Sequence, residues 1–380
     1  MKIPTNPFLL KGYISESYFC DREEETQLLI ERAKNGVNTT LFSIRRMGKT
    51  GLLNHAFFQL EKDKNYKTIY IDIYATQNLN EFIHVLAGAV LRALPDNKSI
   101  GRKFIDTLKG FRPVISYDSY TGSPEVSFDF KTQNECESSI QHVFEFLEKQ
   151  KQHIVIAFDE FQQVANYPEK NTEALLRTII QQLQNVSFVF SGSQKHILIE
   201  LFHSSKRPFF ASTQPMYLDS IPTEKYHEFI QSTFAKHNKL IGDSEIYFIL
   251  NWTKKHTYYT QAFCNKLFTL TSKTKKITQN EINVCCDTLL KEQEVVFFQY
   301  RNLLTSSQWQ LLTAIAREDE ISEPTGSLFV SKYKLGNASS VRRSLMALVD
   351  KEMVVKLVSN ETKSYYRLYD CFLSRWLERS

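Results

Sequence analysis

The eight residues Ser43-Ile44-Arg45-Arg46-Met47-Gly48-Lys49-Thr50 lie between an apolar, β-branched run, TTLFSI (39–44), and a second apolar run, GLLNHAFFQL (51–60). A strand that turns through Gly-Lys-Thr straight into a helix constrains this chain more than any other feature, because that turn belongs at the carboxyl edge of a sheet flanked by helices. The physical reason is an anion site. Backbone N–H groups at a helix N-terminus point outward with the positive end of the dipole, and Gly48 lets the backbone approach a phosphate closely. The pattern G-x-x-x-x-G-K-[ST] expects glycine where this chain has Ser43. Lys49 would reach the β- and γ-phosphates and Thr50 would place its hydroxyl on Mg²⁺, with Met47 and Gly51 completing the lining. Arg45 and Arg46 contact phosphate or a neighbouring subunit, or else form an exposed, solvated pair. The competing reading of the whole motif is a plain strand-to-helix turn with a solvated lysine.

About 110 residues on, the apolar run HIVIAF ends in Asp159-Glu160. Two acids at the end of a buried strand suit phosphoryl transfer: Asp159 to hold Mg²⁺, Glu160 as the general base that polarises the attacking water. Beside a phosphate loop this outweighs the alternative of two exposed turn acids. The run VSFVFSG ends in Ser191, Gly192, Ser193 and Gln194, polar groups at the edge where open α/β sheets bind ligands. Ser193 or Gln194 orients the lytic water or senses the γ-phosphate, or the segment is a simple turn. Beyond it, Lys206 and Arg207 are candidates for stabilising transition-state charge in cis or from a neighbour, Arg207 as the arginine finger.

A chain of 380 residues exceeds the usual size of one domain. Its 42% hydrophobic and 23% charged residues exclude collagen-like, low-complexity and wholly disordered classes. The fold class expected is an α/β P-loop core with a parallel sheet and flanking helices (1–220), then an α-helical lid (221–303), then a winged helix-turn-helix (304–380). Strands are expected at 39–44, 67–74, 153–159 and 186–192, with 215–220 as a weaker fifth; such runs are buried on both faces and read as continuous. An insertion at about 112–130 alternates with period two around Thr121-Gly122-Ser123-Pro124, a hairpin signal. The tail reads as three helices and two strands joined by NETK, the winged-helix order. The N-terminus MKIPTNPFLLKGY has no long apolar core or small-residue cleavage site, and no uncharged apolar run reaches roughly 18 residues. Six scattered cysteines form no C-x-x-C pair, so reduced thiols and a cytoplasmic, non-membrane protein are expected.

Five segments taken together resemble a known family: Phe19-Cys20-Asp21-Arg22-Glu23, SIRRMGKTGLL, AFDEFQQV, SGSQKHILIELF and YRLYDCFLSRWL. They resemble the prokaryotic AAA-like ATPases related to the archaeal ATPase family, in the STAND branch of AAA+ proteins. The resemblance implies ATP or ADP with Mg²⁺, held between core and lid, with Asp21 and Arg22 against adenine and ribose. The family's G-h-P signature would fall on Lys255, His256 and Thr257, where both glycine and proline are missing. His256, Tyr258 and Tyr259 then either stack on the base or pack the helix core. The family's Gly-Arg pair falls on Ala211-Ser212, which leaves Arg207 as the substitute arginine.

The first functional expectation is a slow ATPase that acts as a nucleotide-dependent switch. The second is a DNA-binding regulator in which the P-loop core is a ligand-sensing scaffold. In the winged helix, Ser339, Ser340, Arg342 and Arg343 would face a groove and Lys363 would touch a phosphate. Residues 306–380 hold 11 Lys and Arg against 9 Asp and Glu, a small excess for a DNA binder. Packing or a protein partner is the equal alternative, and an oligomer is compatible with either.

Overall fold

The computed structural model describes residues 4–93, 98–119, 122–272, 276–358 and 364–379, which divide into two compact units, 11–220 and 1–10 with 221–380.

In the first unit the chain runs α1 (Glu23–Lys34), β1 (Thr39–Phe42), α2 (Lys49–Leu60), β2 (Tyr66–Asp72), α3 (Leu79–Ala93), α4 (Lys98–Leu108), β3 (Val114–Tyr117), β4 (Pro124–Ser127), α5 (Gln133–Glu148), β5 (His153–Asp159), α6 (Thr172–Gln182), β6 (Val186–Gly192), α7 (Lys195–His203) and β7 (Gln214–Tyr217). Five strands form one parallel sheet in the order β2-β5-β6-β1-β7. The period of two along each strand sorts the core into layers. Ile154, Ile156 and Phe158 face one side with Phe188 and Phe190, where rings stack under α3, α5 and α7. Val155, Ala157 and Val189 face the other side, with Leu52, Leu53 and Ala56 of α2. Small side chains on that face let α2 lie close, which sets the loop before it against the ends of β5 and β6. The expected hairpin is present as antiparallel β3 and β4, although Thr121 of its turn lies outside the described residues.

In the second unit the chain runs α8 (Thr223–Lys236), α9 (Asp243–Trp252), α10 (Thr257–Leu270), α11 (Gln279–Leu303), α12 (Ser306–Glu318), α13 (Ser327–Lys332), α14 (Ala338–Asp350), β8 (Val354–Val358), β9 (Ser364–Leu368) and α15 (Cys371–Glu378). The antiparallel pair β8–β9 behind α12 to α14 gives the winged-helix arrangement; Lys363 lies outside the described residues. Two capping boxes, at Thr278 and Thr305, start α11 and α12 and satisfy N–H groups that a helix leaves open. Between α9 and α10 the chain turns where Lys254 and Lys255 adopt left-handed backbone at φ 54° each. That turn is held by α15: Arg375 Nε donates to the Trp252 carbonyl (2.9 Å), and Trp252 packs on Phe372. Lys254 pairs with Asp319 in the same unit.

Residues 4–10, counted with the core on sequence grounds, pack with this second unit. Phe8 is 1% exposed among Phe229, Phe234 and Phe268, and the Asn6 and Asn265 side chains reach across to backbone carbonyls of Asn265 and Phe8 (2.9 and 2.7 Å).

Candidate nucleotide-binding site

The loop from Ser43 to Gly48 leaves β1 and enters α2 at Lys49. Its left-handed positions are Arg46 (φ 61°) and Gly48 (φ 98°). Ser43 is not among them, which explains why a serine stands at the first glycine position: its hydroxyl donates to the Ile44 carbonyl (2.8 Å) and turns inward. Gly48 needs its freedom because φ near 100° strains any residue with a Cβ. Gly51 lies in the first turn of α2, where a Cβ would meet the Phe19 ring at 3.4 Å. Met47 is buried, whereas Arg45 and Arg46 are exposed.

Lys49 is 6% exposed at the helix N-terminus. Burial holds its ammonium below the usual lysine range, while Asp159 and Glu160 oppose that shift. A buried cation that faces two acids, with open amides beside it, fits a site for a phosphate chain.

Alternation along the strands brings the acids in. Asp159 shares the parity of Val155 and Ala157, so its carboxylate emerges on the α2 face. There it accepts from Thr50 Oγ1 (3.1 Å) and Tyr70 Oη (2.7 Å) at Oδ2, and from Ser191 Oγ (2.6 Å) and the Glu160 N–H (3.1 Å) at Oδ1. Three strands and one helix thus converge on a single carboxylate. The donor set is hard oxygen, a carboxylate beside a hydroxyl, and this suits Mg²⁺. Burial, then the Asp159 charge, pushes the Tyr70 phenol up, so it stays a proton donor around neutral pH. Glu160 leaves β5 with φ 57°, and its Oε2 accepts from the Ser193 N–H (3.2 Å) and the Ser193 hydroxyl (2.7 Å). Ser193 is therefore at the site, engaged with Glu160.

Asp21 and Arg22 precede α1 with φ 54° and 73°. The Arg22 guanidinium is buried and bonds Glu25 and the Asp219 carbonyl (2.6 Å each). Its role in this structure is to tie the α1 entry to the end of β7. The Asp21 carboxyl is raised to about 6, by burial first and then by a hydrogen bond with Glu23.

Two predicted residues are placed elsewhere. Arg207 lies between α7 and β7, two residues before Phe209, whose ring packs on Phe161 and Phe190. It is bound there to Glu173 (2.9 Å) and Glu200 (2.5 Å). Among the described residues no hydrogen bond or ion pair joins it to the loop or to Asp159 and Glu160. His256 caps α10 in the second unit, its ring against Tyr259 and Tyr369; those neighbours are the helix-core packing alternative. Sequence reasoning missed Tyr70, the bond from Ser191 (already placed at the ligand edge) to Asp159, and Gln162. Strand parity was the available signal for the first two, and Gln162 follows Glu160 by two residues in a 3₁₀ turn (Phe161–Asn166).

Among the described residues no group of three or more His, Cys, Asp or Glu side chains forms a metal cluster, all six cysteines are buried and none is in a disulfide, and no helix is long and apolar enough to cross a membrane.

Comparison with known proteins supplies the family. No curated protein matches the sequence. A winged helix domain model matches residues 295–379, beginning inside α11 rather than at 304. Among solved structures, the chain is similar to the Walker-type ATPase paby2304 of Pyrococcus abyssi, with 18% identity, TM-score 0.67, and 98% of this chain and 99% of that one covered. It is also similar to the Aeropyrum pernix ORC2 protein in its ADPNP-ADP complexes, at 11% identity, TM-score 0.54 and 96% of each chain covered. At such identities the likeness is one of fold: a P-loop ATPase core followed by helices and a winged helix. A model described as an ATPase domain predominantly from Archaea matches residues 19–254, well over half the chain and every residue of the converged loop and acids, and the chain belongs to that family.

Proposed function

We propose that this chain binds ATP with Mg²⁺ at the β1–α2 loop, hydrolyses it slowly, and acts as a STAND-type nucleotide-dependent switch. The observation that carries the reading is the convergence of buried Lys49, Thr50 and the four-donor carboxylate of Asp159 at one helix N-terminus. The amides from Arg45 to Gly51 and the Lys49 ammonium would bind the phosphates; Thr50 and Asp159 would hold Mg²⁺. When bound, Mg²⁺ supplies charge neutralisation on the β- and γ-oxygens. Asp159 keeps its orientation through Tyr70 and Ser191. Glu160 accepts the proton of the attacking water.

Slow turnover is supported by Arg207, which is committed to Glu173 and Glu200 and so is not offered to the loop as an arginine finger in cis. A finger reaching the loop would then come from a second copy of the chain. The test is nucleotide analysis of the purified protein, followed by calorimetric titration with Mg·ATP and Mg·ADP. Retained ADP and binding abolished by Lys49→Ala are expected. Equal affinity in wild type and variant would overturn the reading.

A second role, contact with DNA, is favoured by one observation: Arg342 and Arg343 are both exposed on α14, the second of the two helices after α12 in the winged-helix order. Exposed Leu328 and Met346 on α13 and α14 suit a protein surface instead.

A further inference from the structure

Three donors meet Glu160, and all three take the same oxygen. Besides the Ser193 N–H and hydroxyl, Gln162 Nε2 donates to Oε2 at 2.5 Å. The other oxygen, Oε1, receives no hydrogen bond among the described residues, so the carboxylate is anchored at one oxygen and open at the other. That is the form a proton acceptor requires.

The Gln162 side chain is 3% exposed. Its amide offers Glu160 the NH₂ edge, since the reverse orientation would set two oxygens against each other. Gln162 Oε1 is consequently buried and meets no donor among the described residues. It points at Gly192, where a Cβ would lie 2.0 Å from it. Gly192 does not adopt a left-handed conformation, so it is glycine for space and not for backbone freedom. A buried amide with an unanswered acceptor and a strand residue stripped of its side chain serve one interaction, the bond to Glu160.

We infer that Gln162 is the positioning residue for the Glu160 carboxylate and that Gly192 provides the space that seats it. The inference rests on the reading of Glu160 as the base in ATP hydrolysis. Gln162 acts without charge. The charged groups facing Glu160 are Asp159 beside it on β5, Asp72 from β2 and Lys49 from α2. A neutral amide anchors one oxygen without neutralising the base, as a lysine would, or sharing its proton, as a second carboxyl would.

The experiment compares full-length wild type with Gln162→Ala, Gln162→Glu, Gly192→Ala and the Gly192→Ala/Gln162→Ala double variant. It reads kcat against pH, Mg·ATP affinity, thermal midpoint, and hydrogen exchange at the Ser193 amide. Gln162→Ala is expected to lower kcat about 10- to 100-fold with affinity unchanged, and to speed exchange at Ser193 as Glu160 loses its anchor. Gln162→Glu moves the acidic limb of the rate profile to higher pH, because two adjacent carboxyls share a proton. Gly192→Ala lowers kcat as Gln162→Ala does, and the double variant is no slower than either single, since both act on one bond; the thermal midpoint of each Gly192→Ala variant also carries the 3.1 Å contact of its Cβ with Leu198 Cδ1. A Gln162→Ala enzyme with the wild-type rate, pH profile and Ser193 exchange would overturn the inference. So would losses of rate, affinity and thermal midpoint in parallel in both Gln162 variants, which mark a purely structural role. A wild-type rate no higher than that of Glu160→Gln overturns the reading of Glu160 as base, and the inference with it.

Discussion

Removing one hydroxyl tests whether the site is built as described. Tyr70→Phe deletes the donor 2.7 Å from Asp159 Oδ2 and keeps the ring on the α2 face of the sheet. A hydrogen bond to a charged group contributes about 1.5–3 kcal/mol, less where water can replace the donor. Asp159 is buried but retains Thr50, Ser191 and the Glu160 amide, and Tyr70 is only half-buried. The lower end, about 1.5 kcal/mol, is therefore expected. In a core of this size that lowers the unfolding midpoint by about 3–6 °C. If the loss is expressed in holding the carboxylate toward Mg²⁺, it weakens Mg·ATP binding about tenfold, whereas binding of ATP without Mg²⁺ changes little. Differential scanning calorimetry gives the first quantity, and titrations with and without Mg²⁺ give the second. An unchanged midpoint together with unchanged Mg²⁺ dependence would refute the role of Tyr70.

Asp21 provides a pH test. Its carboxyl is raised from 3.8 to about 6 in the fold, so between those values the folded state keeps a proton that the unfolded state has lost. Stability from this group is present below about pH 4 and is lost as pH rises to about 6. Asp21→Asn tolerates the same left-handed backbone and should melt higher than wild type above pH 6, with the gap closing near pH 4; parallel curves would exclude the shift. Phe8→Ala removes a ring that is 1% exposed and should cost about 3–5 kcal/mol. Faster hydrogen exchange in α8 and α10, with the first unit unaffected, is the expected readout, and uniform exchange would contradict the packing of residues 4–10. For the winged helix, Arg342→Ala with Arg343→Ala should flatten the salt dependence of duplex binding by about one unit of slope per arginine. A slope that ignores both excludes α14 as a DNA contact.

Much of the site was legible in the sequence because its parts are local. A strand, a Gly-Lys-Thr turn and a helix are contiguous, and HIVIAFDE announces its own end with two acids. Strand identity followed for the same reason: 153–159 and 186–192 agree residue for residue, since a run buried on both faces reads as a near-continuous apolar stretch. What remained hidden was pairing across the chain. The order β2-β5-β6-β1-β7 decides that Tyr70, Asp159 and Ser191 share one face and one edge, and no single segment carries that information. Gln162 and Gly192 are invisible singly, because each makes sense only against the other. The turn at Lys254 and Lys255 was missed because neither residue signals left-handed backbone; Arg375, more than a hundred residues later, holds it.

The central claim is that the converged loop and acids bind ATP and turn it over through Glu160. Single-turnover hydrolysis with Mg·ATP, measured for wild type, Lys49→Ala and Glu160→Gln alongside direct binding, tests it most directly. Slow hydrolysis in wild type, lost binding in Lys49→Ala, and full binding without hydrolysis in Glu160→Gln are the expected results. Equal binding and equal hydrolysis in all three would contradict it.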